Sequence, residues 1–279
     1  MTNLDNTGLD RPIDAIASLV EKYKDNMSRA DMWALATIVA AEDSQRNNDR
    51  IDFPFEWFGR TDCPSPNGKS GPAQDLPPVD LDTHQLMKFF LDNFGLSTRE
   101  TVALMGAHTI GQLAQENSGF IGPQGWVGGS RRLDNGYYKG LVGGDEENES
   151  LASQSLEQLF NARDWTRERI DNSAFPFPDR QSWFHVSGDG QTRTIMTNAD
   201  IAVVRDFSGQ MDQEGMVACK FKRRDTPCPA AEATLMIAAE FKWDNDLWRS
   251  EFYDVVVKML LNGYNVSNTN CNRPPCFVN

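Results

Sequence analysis

Imidazole is scarce in this chain: its 279 residues include only three histidines, His84, His108 and His185. A histidine-based site therefore has few candidates, and each can be weighed alone. Positive charge is also in deficit, with 27 Lys and Arg against 40 Asp and Glu and a net charge of −13. That balance argues against nucleic acid and against an anionic membrane face, and better suits a small-molecule or cationic-protein partner. No apolar run approaches the roughly 18 to 20 residues that span a bilayer, and the polar opening Met1 to Arg11 is unlike a signal peptide. The chain as given is expected to be soluble, with no membrane partner.

Also missing is any CxxC or close Cys/His set, so the five cysteines read as a disulfide pattern rather than a metal site. Cys219 and Cys228 form one short-range pair, Cys271 and Cys276 another, and Cys63 is solitary. An unpaired Cys63 would want a partner outside this chain. Three sequons, at Asn26, Asn148 and Asn265, permit glycosylation, and with the cysteines they lean toward a secretory compartment, an organellar or cytoplasmic location being the alternative. Strand-like alternation and internal repeats are absent too, which leaves a mainly α class.

Helical periodicity is what the chain has instead. Ile13, Ile16, Leu19, Val20 and Tyr23 recur at helical spacing, and Ser28-x-x-Asp31 opens a second stretch carrying Met32, Leu35 and Val39. Asn47 to Asp82 is rich in Pro, Gly, Asp and Asn but holds Phe53, Phe55, Trp57 and Phe58, so an ordered loop pinned by its aromatics is predicted. The helical pattern resumes at Leu86, Phe89 and Phe90 and stops near Gly95. It restarts at Ser97-x-x-Glu100 and ends at Gly106-Ala107-His108. Further helices are predicted from near Asp134 and from about Asp246, the latter with Phe252, Val255, Val256, Met259 and Leu260 on one face. Asp164 to Gly190 reads as polar and irregular.

Among the histidines, His84 sits at a polar helix start and His185 in the irregular stretch, and both read as solvated or capping residues. His108 closes an apolar helix. The plain reading of a lone buried histidine is a hydrogen-bonded core residue. Its surroundings favour a ligand: Val102-Ala-Leu-Met-Gly-Ala-His-Thr-Ile-Gly111 resembles the proximal-histidine signature of the plant, fungal and bacterial haem peroxidases. Asn117 to Pro123, Trp126, and Leu133-Asp-Asn-Gly-Tyr-Tyr-Lys139 are similar to the segments that follow the ligand in the cytochrome c and ascorbate peroxidase branch. Gln124-Gly125 is an insertion ahead of the tryptophan, and an ordinary core aromatic is the alternative for Trp126. Thr197-Asn-Ala-Asp200 with Asp206 resembles the segment whose first aspartate bonds the proximal imidazole. Upstream, Asn6 to Asp10, Ser28 to Asp31 and Gly59 to Asp62 match in order, so the likeness spans nearly the whole chain.

The resemblance implies a haem peroxidase-like helical fold. It implies haem b held by His108, Asp200 accepting from the imidazole, and Trp126 as an electron relay, with hydrogen peroxide and an unidentified electron donor as substrates. A carboxylate on the far nitrogen fixes the tautomer and raises the ligand's basicity, which favours high-valent iron. Thr109 and Asp134 match positions of a proximal potassium or calcium site, although Val127 stands where a threonine ligand is wanted. Residues 1–100 would be the remainder of the distal lobe, 101–265 the proximal lobe and 266–279 a Cys-containing tail.

In that superfamily an Arg followed closely by a catalytic His precedes the Asn-x-Gly-Leu-Asp segment, which here begins at Asn6. The N-terminal distal helices are therefore expected to be missing. Their proton-transfer and charge-stabilising contributions are ordinarily worth roughly 10²- to 10⁴-fold and roughly 10²- to 10³-fold. A fragment or processed chain of a peroxidase, with the distal half supplied upstream or by a second chain, is one expectation. A degenerate peroxidase with a structural or assembly role is the other, and a helical binding module without haem is the reading furthest from the motifs.

Overall fold

The computed structural model describes residues 7–45, 50–60, 62, 77–122, 124–129, 131–144, 150–160, 164–173, 179–221 and 227–262. The chain divides into two compact units, Met1–Leu76 with Val256–Asn279, and Pro77–Val255. The sequence reading takes residues 1–279 as a single region whose lobes meet at 100/101; the two compact units meet at 76/77 and 255/256. Cys63, Cys271, Cys276, Asn148 and Asn265 lie outside the described residues, as do 266–279.

In the first unit, α1 (Asp10–Tyr23) has the expected apolar spacing but buries none of it: Ile13, Ile16 and Val20 are half-covered and Leu19 and Tyr23 exposed. Helix α2 (Arg29–Asp43) starts at Ser28, whose hydroxyl accepts from the Asp31 amide at 3.0 Å. The box that Ser28-x-x-Asp31 suggests is only half closed, because the Asp31 carboxylate turns to the aromatic loop instead. It accepts from the Gly59 amide at 2.5 Å and pairs with the Arg60 guanidinium at 2.8 Å. Arg60 donates onward to the carbonyls of Trp57 and Leu260. The loop is thus ordered where described, with Phe53 buried and its amide held by Glu42, and Phe55, Trp57 and Phe58 half-buried.

In the second unit, α3 (Thr83–Phe94) opens on a capping box at Asp82 and closes on Gly95 in the left-handed conformation, where a glycine costs least. Helix α4 (Thr98–Met105) opens on the Ser97/Glu100 box as predicted and tightens into a 3-10 turn, Gly106–Thr109. Two short helices follow, α5 (Gln115–Ser118) and α6 (Gly136–Leu141), the latter two residues later than its predicted start. Helix α7 (Leu156–Phe160) leads to β1 (Thr166–Ile170), β2 (Arg180–Val186) and β3 (Arg193–Thr197).

These strands form one antiparallel sheet in the order β1-β2-β3, with Ser182 opposite Thr197 and Trp183 opposite Met196. The expectation of no strand, and of an irregular Asp164–Gly190, is corrected here. The physical reason is that neither face alternates: β1 is polar, β2 buries Ser182 and Trp183 in succession, and β3 buries Thr194 through Thr197 as a continuous run. A run buried on both faces cannot be told from a helix segment by periodicity. Helix α8 (Asn198–Ile201) grows directly from β3, and α9 (Glu232–Trp243) and α10 (Asn245–Leu260) are the last described elements. No stretch of sequence predicts α9, whose buried residues include Thr234 and Lys242 beside Leu235 and Phe241 and so leave no clean apolar stripe. The buried Lys242 ammonium donates to the carbonyls of Val142 and Gly143 just past α6, where cationic charge complements a helix C-terminus. The predominantly helical expectation holds. Among the described residues no helix is long and apolar enough to cross a membrane.

Candidate functional site

His108 rides on the 3-10 turn after α4, and the turn is fixed from behind. Tyr138 on α6 donates its hydroxyl to the Val102 carbonyl at 2.7 Å, and the Trp248 indole on α10 donates to the Ala103 carbonyl at 3.0 Å. Both fully buried rings pass against Gly106, where a Cβ would stand 2.6 Å from the Tyr138 hydroxyl oxygen. The glycine two residues before His108 is what lets these rings reach the carbonyls of α4.

Asp200 faces His108 from α8. Thr197 caps that helix, its hydroxyl accepting from the Asp200 amide while its own amide and hydroxyl donate to the Asp200 carboxylate at 2.7 and 2.8 Å. The carboxylate is completely buried and accepts five hydrogen bonds from the described residues. Oδ2 takes the two Thr197 donors and the Trp126 indole N–H at 3.0 Å; Oδ1 takes His108 Nδ1 at 2.6 Å and the Tyr137 hydroxyl at 3.0 Å. Burial by itself pushes the Asp200 carboxyl up, but the charge and hydrogen bond of His108 and the Thr197 donors together bring it below the ordinary range. The carboxylate is therefore ionised.

Trp126 and His108 stack, their ring centres 4.1 Å apart and their planes 17° from parallel. The structure thus brings His108, Trp126 and Asp200 into one cluster, as the motifs predict. Tyr137 joins them and is missed by the sequence reading. Its ring stands edge-on to His108 at 6.1 Å, and burial, followed by the charge of Asp200, raises its pKa well above that of an ordinary phenol, so it stays a neutral donor. The segment Leu133–Lys139 is legible as similar to the family, but nothing in it marks which of two adjacent tyrosines reaches the carboxylate.

Thr109 and Asp134 also meet, the threonine hydroxyl donating to Oδ1 at 3.2 Å, but the same oxygen accepts from the amide of Gly136, the first residue of α6, at 2.9 Å. His84 is exposed, and His185 lies on β2 with Nδ1 beside the Asp164 carbonyl. Of the cysteines, Cys219 and Cys228 form the disulfide expected of them.

The donor set suits a porphyrin-held iron. Among the described residues no cluster of His, Cys, Asp or Glu side chains gathers three ligands, so a bare ion would find too few. A single imidazole is enough when a macrocycle supplies the rest. The His108 side chain is 34% exposed whereas Asp200 is sealed, and Nε2, on the side away from Asp200, has no hydrogen-bond partner among the described residues.

Comparison with known proteins agrees. A family model described as peroxidase matches residues 1–210. The chain is 35% identical over 142 residues to the cytosolic L-ascorbate peroxidase 1 of Oryza sativa, the match covering 51% of this chain and 52% of that protein. It is 32% identical over 140 residues to the mitochondrial cytochrome c peroxidase of Candida albicans, covering 50% and 35% respectively. To the chloroplastic L-ascorbate peroxidase T of Arabidopsis thaliana it is 30% identical over 152 residues, covering 49% and 34%. The chain thus spans about half the length of the rice relative and about a third of the other two. With a family match over most of its length and a site that fits, the chain belongs to the haem peroxidase family of plants, fungi and bacteria.

Proposed function

We propose that this chain binds haem b through His108 Nε2 and takes part in the hydrogen-peroxide-dependent oxidation of an electron donor. The observation that carries the reading is the 2.6 Å bond from His108 Nδ1 to a sealed, ionised Asp200. When bound, haem supplies the iron at which peroxide is reduced. Asp200 holds the proton on Nδ1, which leaves the Nε2 lone pair free to ligate, and it makes the imidazole a stronger donor. Trp126 lies flat against the ligand with its indole proton on the same carboxylate, a placement that supports a role in passing an electron toward the iron.

A potassium or calcium ion at Thr109 and Asp134 forms no part of this reading, because the facing carboxylate oxygen is already engaged by two protein donors. A cytoplasmic or organellar setting is proposed over a secretory one, since the relatives carry cytosolic, mitochondrial and chloroplastic names. The acidic surface suits a small-molecule or cationic-protein donor.

All residues placed in the site would act on a bound haem through His108. Cleaving the peroxide bond also draws on proton transfer and charge stabilisation. The deciding experiment gives the haemin-loaded chain hydrogen peroxide with ascorbate or ferrocytochrome c, against free haemin at the same concentration. Donor oxidation above that of free haemin, lost in His108→Ala and lowered in Trp126→Phe at equal haem content, is the expected result. Rates no higher than those of free haemin would contradict catalysis by this chain.

A further inference from the structure

We propose that Tyr137 is a positioning residue that sets how much of the Asp200 charge reaches the His108 imidazole. The inference rests on the reading of His108 as the iron ligand and adds a second residue governing that ligand's strength. Its basis is which oxygen each donor takes. Three of the five donors to the carboxylate, from Thr197 and Trp126, crowd Oδ2. Among the described residues Oδ1 serves only His108 and Tyr137, at 2.6 and 3.0 Å, so the two compete for one oxygen.

A hydroxyl that withdraws charge from Oδ1 weakens the acceptor that His108 faces, and so moderates the electron density passed through the imidazole. Among the described residues the Tyr137 hydroxyl has no other acceptor: the residue is fully buried and neutral, and lacks a carbonyl of the kind that Tyr138 finds in Val102. Its ring, edge-on to His108, also limits how far the imidazole can tilt. The adjacent tyrosines thus divide the work. Tyr138 holds the backbone that carries the ligand, and Tyr137 adjusts the carboxylate that polarises it.

The test has one readout that needs no haem. In the chain without haem, the Nδ1 proton of His108 is followed by NMR in the parent, Tyr137→Phe and Trp126→Phe. Phenylalanine keeps the ring and removes one donor from Oδ1, so the proton is expected to move downfield, and further than in Trp126→Phe, which frees Oδ2. Incorporating fluorotyrosine, a stronger phenol donor, should move it the opposite way and needs no change of fold. In the haem-loaded chain, Tyr137→Phe should shift the ferric-to-ferrous equilibrium toward ferric by roughly fivefold, about the net worth of one hydrogen bond.

An unmoved proton in a natively folded Tyr137→Phe, or equal shifts in the two variants, would overturn the proposal. If the proton moves as expected but no histidine-ligated haem forms, the role of Tyr137 on the imidazole is upheld and the ligand reading is what fails.

Discussion

Asp31 and Asp200 occupy the same place in the same local motif, the third residue after a hydroxyl that caps a helix, and both are buried. Their uses diverge. Asp31 turns away from its cap to an arginine, and the pair Asp31–Arg60 is sealed, with side-chain exposures of 4% and 5%. Asp200 keeps its cap and gathers an imidazole, an indole and a phenol around it. A carboxylate satisfied by a fixed cation is spent on scaffold, because its charge is neutralised where it stands. One satisfied by polarisable donors passes its charge on to whatever they touch. Between the scaffold acid and the one proposed for the site, the difference lies in the partners, with burial and local motif held constant.

The largest test of that contrast is Asp31→Ala, which removes the carboxylate paired with the buried Arg60 guanidinium. It should cost about 3–5 kcal/mol, read from denaturant unfolding, while His108 keeps its Nδ1 partner. Asp200→Asn conserves shape but turns an amide NH₂ toward donors on one side or the other. A smaller loss of about 1–3 kcal/mol is expected, together with a clear upfield shift of the His108 Nδ1 proton as its charged acceptor disappears.

The two caps make a closer comparison. Ser28→Ala removes one acceptor and should cost about 1 kcal/mol. Thr197→Ala removes the cap and also a donor to the Asp200 carboxylate, so its cost should exceed that of the serine variant by about 1 kcal/mol or more. Equal costs would mean that the Asp200 cluster adds nothing to a plain cap. At the small end, Lys88→Ala breaks an exposed pair with Asp92 and should change stability by no more than about 0.5 kcal/mol.

The trio proposed for the site was legible because three short segments, Val102–Gly111, the one holding Trp126, and Thr197-Asn-Ala-Asp200, resemble those of the haem peroxidases. Each of these carries its identity in a few adjacent residues. Tyr137 was not legible, since a tyrosine's role depends on which acceptor its hydroxyl reaches across the fold. The capped helices α3 and α4 were read close to their true ends for the same local reason. The sheet and α9 were missed because their burial is two-sided and erases periodicity. The true use of Asp31 was hidden by its own motif, which predicts a reciprocal cap and gives no hint of an arginine 29 residues away.

The central claim is that His108 is the iron ligand, and a haemin titration followed through the Soret band, run on the parent and on His108→Ala, tests it most directly. The parent should give a saturable, histidine-ligated spectrum that the variant does not. The same histidine-ligated spectrum in both would contradict the assignment.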